Sequence, residues 1–425
     1  MPKDVTSHAP LTATPRNAIA NPKVLLATTG QLPSTARLAM ELHDAGAEVA
    51  LISAGNHPAR VLAFLAQCHT YRATNPGRSL QKAIRRSAPD LIIPCDERAV
   101  RDLHQLWRST RDPAVRTVIE ESVGPATSFP IVTSRHALLS LAAKAGVRVP
   151  ESAPVPNIQA LNAWIETHPT PFVLKADGSW AGFGVRIISD TSAARSAFTQ
   201  MRKSISLRLA LRETVLEGDH FALRSWVRHE LPTLSVQAYV DGWPANIGVA
   251  CWKGEVVAAT CAESVATESA TGPSTVARVI DNAEMLDAAR TVVAALGISG
   301  LVGFDFMIEA ATGHAYMIEM NPRNTPICAI RLASPRDLPE ALTARIAGRS
   351  LHERPPRTER DIIVFFPDTW RRDPSNQFLH SGFHDVPWEQ PELVRVLMRP
   401  EMRDRYWIMR LARKAWLKAA AASSR

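Results

Sequence analysis

Acidic side chains interrupt two apolar, strand-like runs in LVGFDFMIEAATGHAYMIEMNPRNTP, residues 301–326. Asp305 lies in the first run, and Glu319 and Asn321 lie in the second. The residues between the runs, Ala-Thr-Gly, are typical of a three-residue hairpin loop whose glycine takes a positive φ angle. A hairpin centred on Thr312 would place position 305 opposite position 319, to within about one residue.

Three oxygen-bearing side chains would converge in this hairpin, because side chains alternate along a strand and Glu319 and Asn321 share one face. Two facing carboxylates repel each other unless a cation lies between them. Hard oxygen ligands favour Mg²⁺, with Mn²⁺ as the alternative ion, over zinc. A surface hairpin with solvated acids is the competing interpretation, but the apolar neighbours in MIEMN argue against it. The pattern predicts a divalent-cation site formed by Asp305, Glu319 and Asn321.

A second chemical pattern, KADGSWAGFGV, lies earlier in the chain. Lys175 ends an apolar run, and glycines at 178, 182 and 184 follow in the connection to the next run. Glycines let backbone N–H groups turn toward an anion, and a lysine adds a positive charge. The segment is not a Walker loop, because no GK[ST] opens a helix. Alone it is equally typical of a flexible turn; with the cation site it indicates a nucleoside triphosphate between two lobes.

The elements that position these residues begin with a strand–helix–strand unit at 23–52, and a similar unit recurs at 79–107. This alternation predicts a parallel, doubly wound sheet, which binds ligands at the carboxyl ends of its strands. Asp96 and Glu97 follow the strand LIIPC directly and could line such a site, but capping of the next helix explains them equally well. Later runs joined by glycine turns predict further strands leading into the hairpin.

The 425-residue chain is long enough for two to three domains, and its 46% apolar and 21% charged residues are ordinary for a soluble protein. No apolar run is long enough for a membrane span, and residues 1–22 lack a signal-peptide core and are expected to be a disordered leader. The five cysteines are scattered and form no CxxC pair. Reduced thiols and a cytoplasmic location are therefore expected.

The net charge of +8 is concentrated at the C-terminus. Residues 395–425 hold nine Lys/Arg against two Asp/Glu, and the tail RYWIMRLARKAWLKAAAA has the pattern of a basic amphipathic helix. Such a helix could contact a membrane surface, a protein partner or an RNA. More often it packs its apolar stripe on its own domain and leaves its charges solvated, which is the interpretation favoured here.

Three segments, in chain order, resemble the ATP-grasp superfamily, particularly the branch of carbamoyl-phosphate synthase and biotin carboxylase. They are VLKADGSWAGFGV, LSVQAYVDGWPANIGVACWKGEVVA and GFDFMIEAATGHAYMIEMNPR. The resemblance implies a mixed α/β and α+β fold, with a doubly wound pre-ATP-grasp domain before a two-lobed ATP-grasp fold. The expected boundaries are a leader at 1–22, the pre-ATP-grasp domain at 23–130, an N-lobe with a glycine-rich lid at 131–240, a C-lobe with the metal site at 241–350, and a C-terminal extension with a basic helix at 351–425.

The resemblance also implies roles for single residues. Lys175 and Arg135 would contact ATP phosphates, and Arg323 would steady the transferred phosphate or a substrate carboxylate. The lid that closes over the phosphates would include Ser179, Gly182 and Gly184, the hinge that reads adenine would be Gln237, Ala238 and Tyr239, and Asp305, Glu319 and Asn321 would hold the metal. Two positions depart from the usual pattern: Gln237 stands where Glu is common, and Asn246 where an acid often follows.

The implied activity is an ATP-dependent carboxylate–amine ligase that forms an amide or peptide bond through an acyl phosphate and releases ADP and phosphate. Small-molecule carboxylates and amines would be its substrates, ATP and Mg²⁺ its cofactors, and a homodimer its expected assembly. Two alternatives stay open at this point. One is carboxyphosphate-type carboxylation on the same site, and the other is a non-catalytic nucleotide-binding module.

Overall fold

The computed structural model describes residues 21–177, 184–203, 206–208, 210–211, 220–227, 231–269 and 271–399. Three sequence predictions fall largely outside these ranges: the leader, most of the glycine-rich lid and the basic C-terminal helix. Among the residues described, no helix combines the length and the apolar character needed to cross a membrane.

A four-stranded parallel sheet opens the fold, with strand order β3-β2-β1-β4. Its strands are β1 (Lys23–Ala27), β2 (Glu48–Ser53), β3 (Gln67–Thr70) and β4 (Leu91–Pro94). The helices around it are α1 (Pro33–Asp44), α2 (Pro76–Ser87), α3 (Glu97–Ser109) and α4 (Pro113–Val123). Because β2 and β4 lie on opposite sides of β1, the carboxyl ends of β1 and β4 form the crevice where doubly wound sheets bind ligands.

A second, antiparallel sheet has the strand order β5-β8-β6-β7. Its strands are β5 (Ser152–Pro154), β6 (Phe172–Ala176), β7 (Val185–Ile188) and β8 (Leu234–Ala238). The helices of this part of the chain are α5 (Phe129–Val132), α6 (Arg135–Lys144), α7 (Ile158–Thr167), α8 (Thr191–Met201) and α9 (His220–Val227). Trp164 and Phe198 pack under the sheet and bury one of its faces.

The third sheet has seven strands in the order β13-β12-β9-β10-β11-β14-β15, antiparallel except for the last pair. Its strands are β9 (Gly242–Trp252), β10 (Glu255–Thr267), β11 (Ser274–Ile280), β12 (Gly300–Glu309), β13 (Ala315–Asn321), β14 (Ile362–Val364) and β15 (Phe383–His384). The remaining helices are α10 (Ala283–Leu296), α11 (Leu338–Ala347), α12 (Asp368–Arg372), α13 (Phe378–Ser381) and α14 (Pro391–Met398).

One apolar core joins the first sheet to the third. The first sheet and helices α1 to α4 are called the N-terminal unit below. Its residues Leu26 and Leu38 are buried in the same cluster as Leu301, Leu342 and Ile363. The opposite face of the third sheet packs on α6 and α10 in a separate cluster. This shared core places the first sheet beside β12, which carries Asp305.

Residues after Leu351, expected to form a C-terminal extension, are tied to the rest of the fold by strand pairing and ion pairs. Strand β14 pairs with β11 and extends the third sheet. Glu41 of α1 is 1% exposed and lies among three arginines: 2.8 Å from Arg357 Nε, 3.2 Å from Arg331 Nε and 3.6 Å from Arg354 Nη2. These four residues are called the arginine cluster below. The charged segment HERPPRTERD thus supplies two arginines, Arg354 and Arg357, to buried ion pairs with the N-terminal unit.

Candidate active site

The hairpin of β12 and β13 pairs Ile308 with Ala315 next to the turn, one residue off the predicted register, and a β-bulge between Asp305 and Phe306 restores the predicted pairing at the site. Asp305 lies directly opposite Glu319, and Gly303 lies opposite Asn321. Gly313 closes the turn with a φ angle of +74°, a conformation that glycine adopts without steric cost. The facing carboxylates inferred from turn position alone are confirmed.

Burial makes Asp305 an unusual carboxylate. Burial, followed by the neighbouring Glu319 charge, raises the pKa of Asp305 to about 6. The Asn321 Nδ2 group donates to Asp305 Oδ2 at 2.8 Å, which offsets only part of that cost. Two carboxylates held face to face in a poorly solvated place are stabilised by a cation between them, so the donor set fits a divalent ion.

The donor set for such an ion has two carboxylates and one amide. Within the described parts of the chain, no group of three or more His, Cys, Asp or Glu side chains is placed to hold a metal. The Asn321 Oδ1 atom accepts a hydrogen bond from Arg323 Nη2 at 3.1 Å, so the amide oxygen now faces the arginine. Asp305 and Glu319 would hold the ion, and Asn321 would join them by turning its amide.

Two cations approach the hairpin from the second sheet and from α6. Lys175, at the end of β6, is 6% exposed, and its Nζ donates to the Ile318 carbonyl at 3.5 Å. Burial lowers the pKa of Lys175 to about 8, although Glu319 opposes this change. Desolvation penalises the ammonium here, so an incoming anion that replaces lost solvation is favoured.

Arg135 begins α6, where Ser134 caps the helix by accepting from the Ala137 N–H. Its Nη2 donates to Glu319 Oε1 at 2.6 Å, and its Nη1 donates to the Ala176 carbonyl. Burial would lower the pKa of Arg135, but the Glu319 charge raises it above its ordinary value. Arg135, which was predicted to contact phosphate, therefore donates to Glu319, a predicted metal ligand, and lies next to Lys175 in this structure.

Arg323 connects the hairpin to the first sheet. Its Nε donates to Glu97 Oε1 at 2.7 Å and its Nη2 lies 2.6 Å from the same oxygen. Glu97 stands at the start of α3, beside the carboxyl end of β4. Asp305, Glu319, Asn321, Lys175, Arg135 and Arg323, which the structure brings together, are called the hairpin site below.

The two acids after β4 have different roles. Asp96 caps α3 by accepting from the Ala99 N–H, and it also accepts from Thr28 Oγ1 and the Thr29 N–H of the loop after β1. Its oxygens are thus taken up by the fold, as the capping interpretation proposed. Glu97 instead faces Arg323, a contact that sequence reasoning missed although its position after a parallel strand marked it as a candidate.

A further residue that sequence reasoning missed is Asp177, which follows Lys175 by two positions. Its Oδ1 accepts from the Arg135 N–H at 3.3 Å, and burial raises its pKa. The signal for it was the KAD sequence at the end of the strand.

The expected adenine hinge lies on β8, which pairs with β6 beside Lys175. Gln237 is 3% exposed, and its Nε2 has no hydrogen-bond partner among the residues that the structure describes. The Ala238 N–H donates to the Glu151 carbonyl at 2.8 Å and is therefore not free to read a base. Tyr239 is 37% exposed. A buried amide without a partner is the feature that a bound ligand would satisfy.

The glycine-rich lid is described only at its ends. Ser179 and Gly182 lie outside the described residues. The Gly184 carbonyl accepts from the Ala176 N–H at 2.8 Å, so the loop leaves and re-enters the sheet at neighbouring positions on β6 and β7. Residues 178–183 thus begin directly after the strand that carries Lys175.

Comparison with solved structures gives the same fold with low sequence identity. N5-carboxyaminoimidazole synthetase from Staphylococcus aureus, complexed with ADP, has a TM-score of 0.56 at 16% identity, covering 80% of this chain and 81% of that chain. A β-γ-ATP complex of biotin carboxylase from Campylobacter jejuni has a TM-score of 0.55 at 15% identity, covering 78% and 72%. L-amino acid ligase from Bacillus licheniformis has a TM-score of 0.54 at 14% identity, covering 77% and 76%.

No curated protein matches the chain in sequence. A family model described as an ATP-grasp domain matches residues 142–326, a range that contains Lys175 and the whole hairpin. The predicted fold class, a parallel N-terminal sheet followed by an ATP-grasp fold, is confirmed. Residues 142–326 therefore match an ATP-grasp domain, and the chain has the fold of these three solved structures.

Proposed function

We propose that the chain is an ATP-dependent carboxylate–amine ligase that forms an amide or peptide bond and releases ADP and phosphate. One observation carries this proposal: Lys175 of β6, Arg135 of α6 and the facing carboxylates of β12 and β13 meet at one place, although they come from four elements. Anion-binding cations beside a cation-binding carboxylate pair are what a metal–triphosphate complex requires.

Each of these groups has a role in phosphoryl transfer. Lys175 would hold the terminal phosphates as a point charge, and Arg135, once drawn from Glu319, would add a planar pair of donors. Mg²⁺ held by Asp305, Glu319 and Asn321 would neutralise charge on the phosphate oxygens. Arg323 would steady the transferred group or the carboxylate that attacks it.

The proposed reaction balances in two steps. A substrate carboxylate oxygen attacks the γ-phosphorus of ATP; the new P–O bond forms as the bond to the β-phosphate bridging oxygen breaks, giving an acyl phosphate and ADP. The nitrogen of an amine then attacks the acyl carbon, the C–O bond to phosphate breaks, and the amine gives up a proton. Because acyl phosphates hydrolyse readily, the site must exclude water. A lid formed by residues 178–183 would exclude water from the site.

The two neighbours solved with ADP and with an ATP ligand support nucleotide binding by this chain, and the third, an amino acid ligase, supports a ligation reaction. The same site would also activate bicarbonate as carboxyphosphate, which is the second candidate function. A homodimer and a partner contact by the basic C-terminal tail stay predictions.

Product analysis tests the proposal. The full chain is incubated with Mg–ATP and a matrix of carboxylic acids and amines, with bicarbonate as a separate arm, and ADP is resolved from AMP. ADP that forms only when an acid and an amine are both present supports the ligase. AMP would overturn the acyl-phosphate route, and bicarbonate-dependent ADP would move the assignment to carboxylation. No turnover with measurable ATP binding would favour a binding module.

A further inference from the structure

A continuous chain of hydrogen bonds runs from the first sheet to the hairpin. Glu97 Oε1 receives Arg323 Nε at 2.7 Å and lies 2.6 Å from Nη2. The same Nη2 donates to Asn321 Oδ1 at 3.1 Å, and Asn321 Nδ2 donates to Asp305 Oδ2 at 2.8 Å. Glu97 of the N-terminal unit is thus two contacts from Asn321 and three contacts from Asp305, both predicted metal ligands.

The donor and acceptor roles in this series of hydrogen bonds follow from the chemistry of the side chains. A guanidinium carries only donors, so the Asn321 amide must present its oxygen to Arg323. An ionised carboxylate carries only acceptors, so the amide must present its NH₂ group to Asp305. Arg323 therefore influences both the orientation of the amide and the electrostatic potential at the carboxylate pair.

Charge compensation is the other consequence of the Glu97 contact. The Arg323 side chain is only 17% exposed and the Glu97 side chain 27%, so water screens their charges weakly. Asp96, the other acid beside β4, is committed to capping α3 and to the β1 loop. Without Glu97, the Arg323 guanidinium would pair with Asp305. The arginine would then compete with a divalent ion for that carboxylate.

We propose that Glu97 is a positioning residue for the cation site: it neutralises Arg323 and holds it off Asp305, which keeps the carboxylate pair available to the metal. This inference rests on the proposed function, because that function requires the ion. It gives the N-terminal unit a part in metal binding although it supplies none of the expected ligands.

The test measures how much Mg²⁺ strengthens nucleotide binding. The dissociation constant of a non-hydrolysable ATP analogue is determined by calorimetry on the full chain, once with Mg²⁺ and once with EDTA. Glu97→Gln should reduce the Mg²⁺ enhancement about tenfold, the lower end for residues that support metal ligands. Glu121→Gln is the matched control, because Glu121 of α4 also pairs across to the third sheet, with Lys253 Nζ at 3.3 Å. It should leave the enhancement unchanged.

A double variant separates charge compensation from a purely structural role. Arg323→Gln alone should raise the Mg²⁺ enhancement, and adding it to Glu97→Gln should restore the enhancement to near the wild-type value. An unchanged enhancement in Glu97→Gln would overturn the inference, as would a loss that the second substitution does not restore. If Mg²⁺ fails to strengthen binding even in the wild-type protein, the proposed function itself is wrong.

Discussion

The arginine cluster and the hairpin site both bury charge, but the first places several arginines around one acid, whereas the second places two acids face to face. In the arginine cluster, Glu41 is 1% exposed and has three guanidinium groups within 3.6 Å. In the hairpin site, Asp305 and Glu319 face each other, and the Glu319 side chain is 26% exposed. Here the acids repel, and the cations around them are shared.

The pKa values follow this difference. Burial and Glu319 raise the pKa of Asp305 to about 6, and burial lowers the pKa of Lys175 to about 8, so both residues are destabilised in their charged forms. Such paired shifts are typical of sites that await a ligand. The arginine cluster joins α1 to the segment after Leu351 and fixes the first sheet beside β12. The charges of the arginine cluster stabilise the assembly of the fold, whereas those of the hairpin site are proposed to bind the metal–nucleotide complex.

Replacing Lys175 by Met should produce the largest effect. We expect the rate of ADP formation to fall about 10³-fold, because a preorganised cation on the transferring phosphate is lost. The free energy of unfolding should stay the same or rise by about 1 kcal/mol, since a buried charge is removed while the apolar stem is kept. Lys253→Met, a surface lysine, is the control for both measurements. Retention of activity within tenfold would remove Lys175 from the site.

Replacing Glu41 by Gln should have the opposite pattern. Three arginines would then surround a neutral amide, and we expect the free energy of unfolding to fall by about 3–5 kcal/mol in urea titrations. The affinity of the remaining folded protein for Mg–ATP should be unchanged. A loss of affinity without a loss of stability would contradict the assignment of the arginine cluster to assembly.

Replacing Asp305 by Asn should stabilise the ligand-free protein at pH 8 in EDTA, by about 1–3 kcal/mol. The reason is that the pKa of Asp305 in the folded protein, about 6, lies above the ordinary aspartate pKa of 3.8. The folded state therefore binds more protons than the unfolded state between these values, and the wild type loses stability as the pH rises through them. Below pH 4 the difference between the two proteins should vanish, and a destabilised variant at pH 8 would contradict the account.

The smallest effect concerns the pH dependence of ATP binding. Since the pKa of Lys175 is lowered to about 8, the ammonium is present below that pH and is lost above it. ATP affinity should fall about tenfold between pH 7.5 and 9. Lys175→Arg keeps its charge throughout, so its affinity, whatever its absolute value, should be flat over this range. An equal decline in both proteins would assign the titration to another group.

Local patterns explain what could be predicted from the sequence. The Gly313 turn sets the register of β12 and β13 to within one residue, and a β-bulge between Asp305 and Phe306 then brings Asp305 opposite Glu319. Lys175 stands at a strand end before glycines, which also is a local signal. The doubly wound sheet follows from alternating strands and helices.

Long-range docking explains what could not. Arg135 contacts Glu319, which lies 184 residues later, and Arg323 contacts Glu97, which lies 226 residues earlier. No periodicity in the sequence links these positions. Strands β14 and β15 have three and two residues, too few for an alternation to be visible. The ion pairs of Arg354 and Arg357 could not be predicted, because their shared partner, Glu41, lies in α1, far away in the sequence.

The most direct test of the ligase account follows the oxygen atoms. An acid that supports ADP formation is prepared with ¹⁸O in both carboxylate positions and incubated with Mg–ATP and its amine, and the released phosphate is analysed by mass spectrometry. Attack by the carboxylate on the γ-phosphorus predicts one ¹⁸O atom in each phosphate. Phosphate without ¹⁸O, formed together with the amide, would contradict an acyl-phosphate intermediate and the function proposed for the hairpin site.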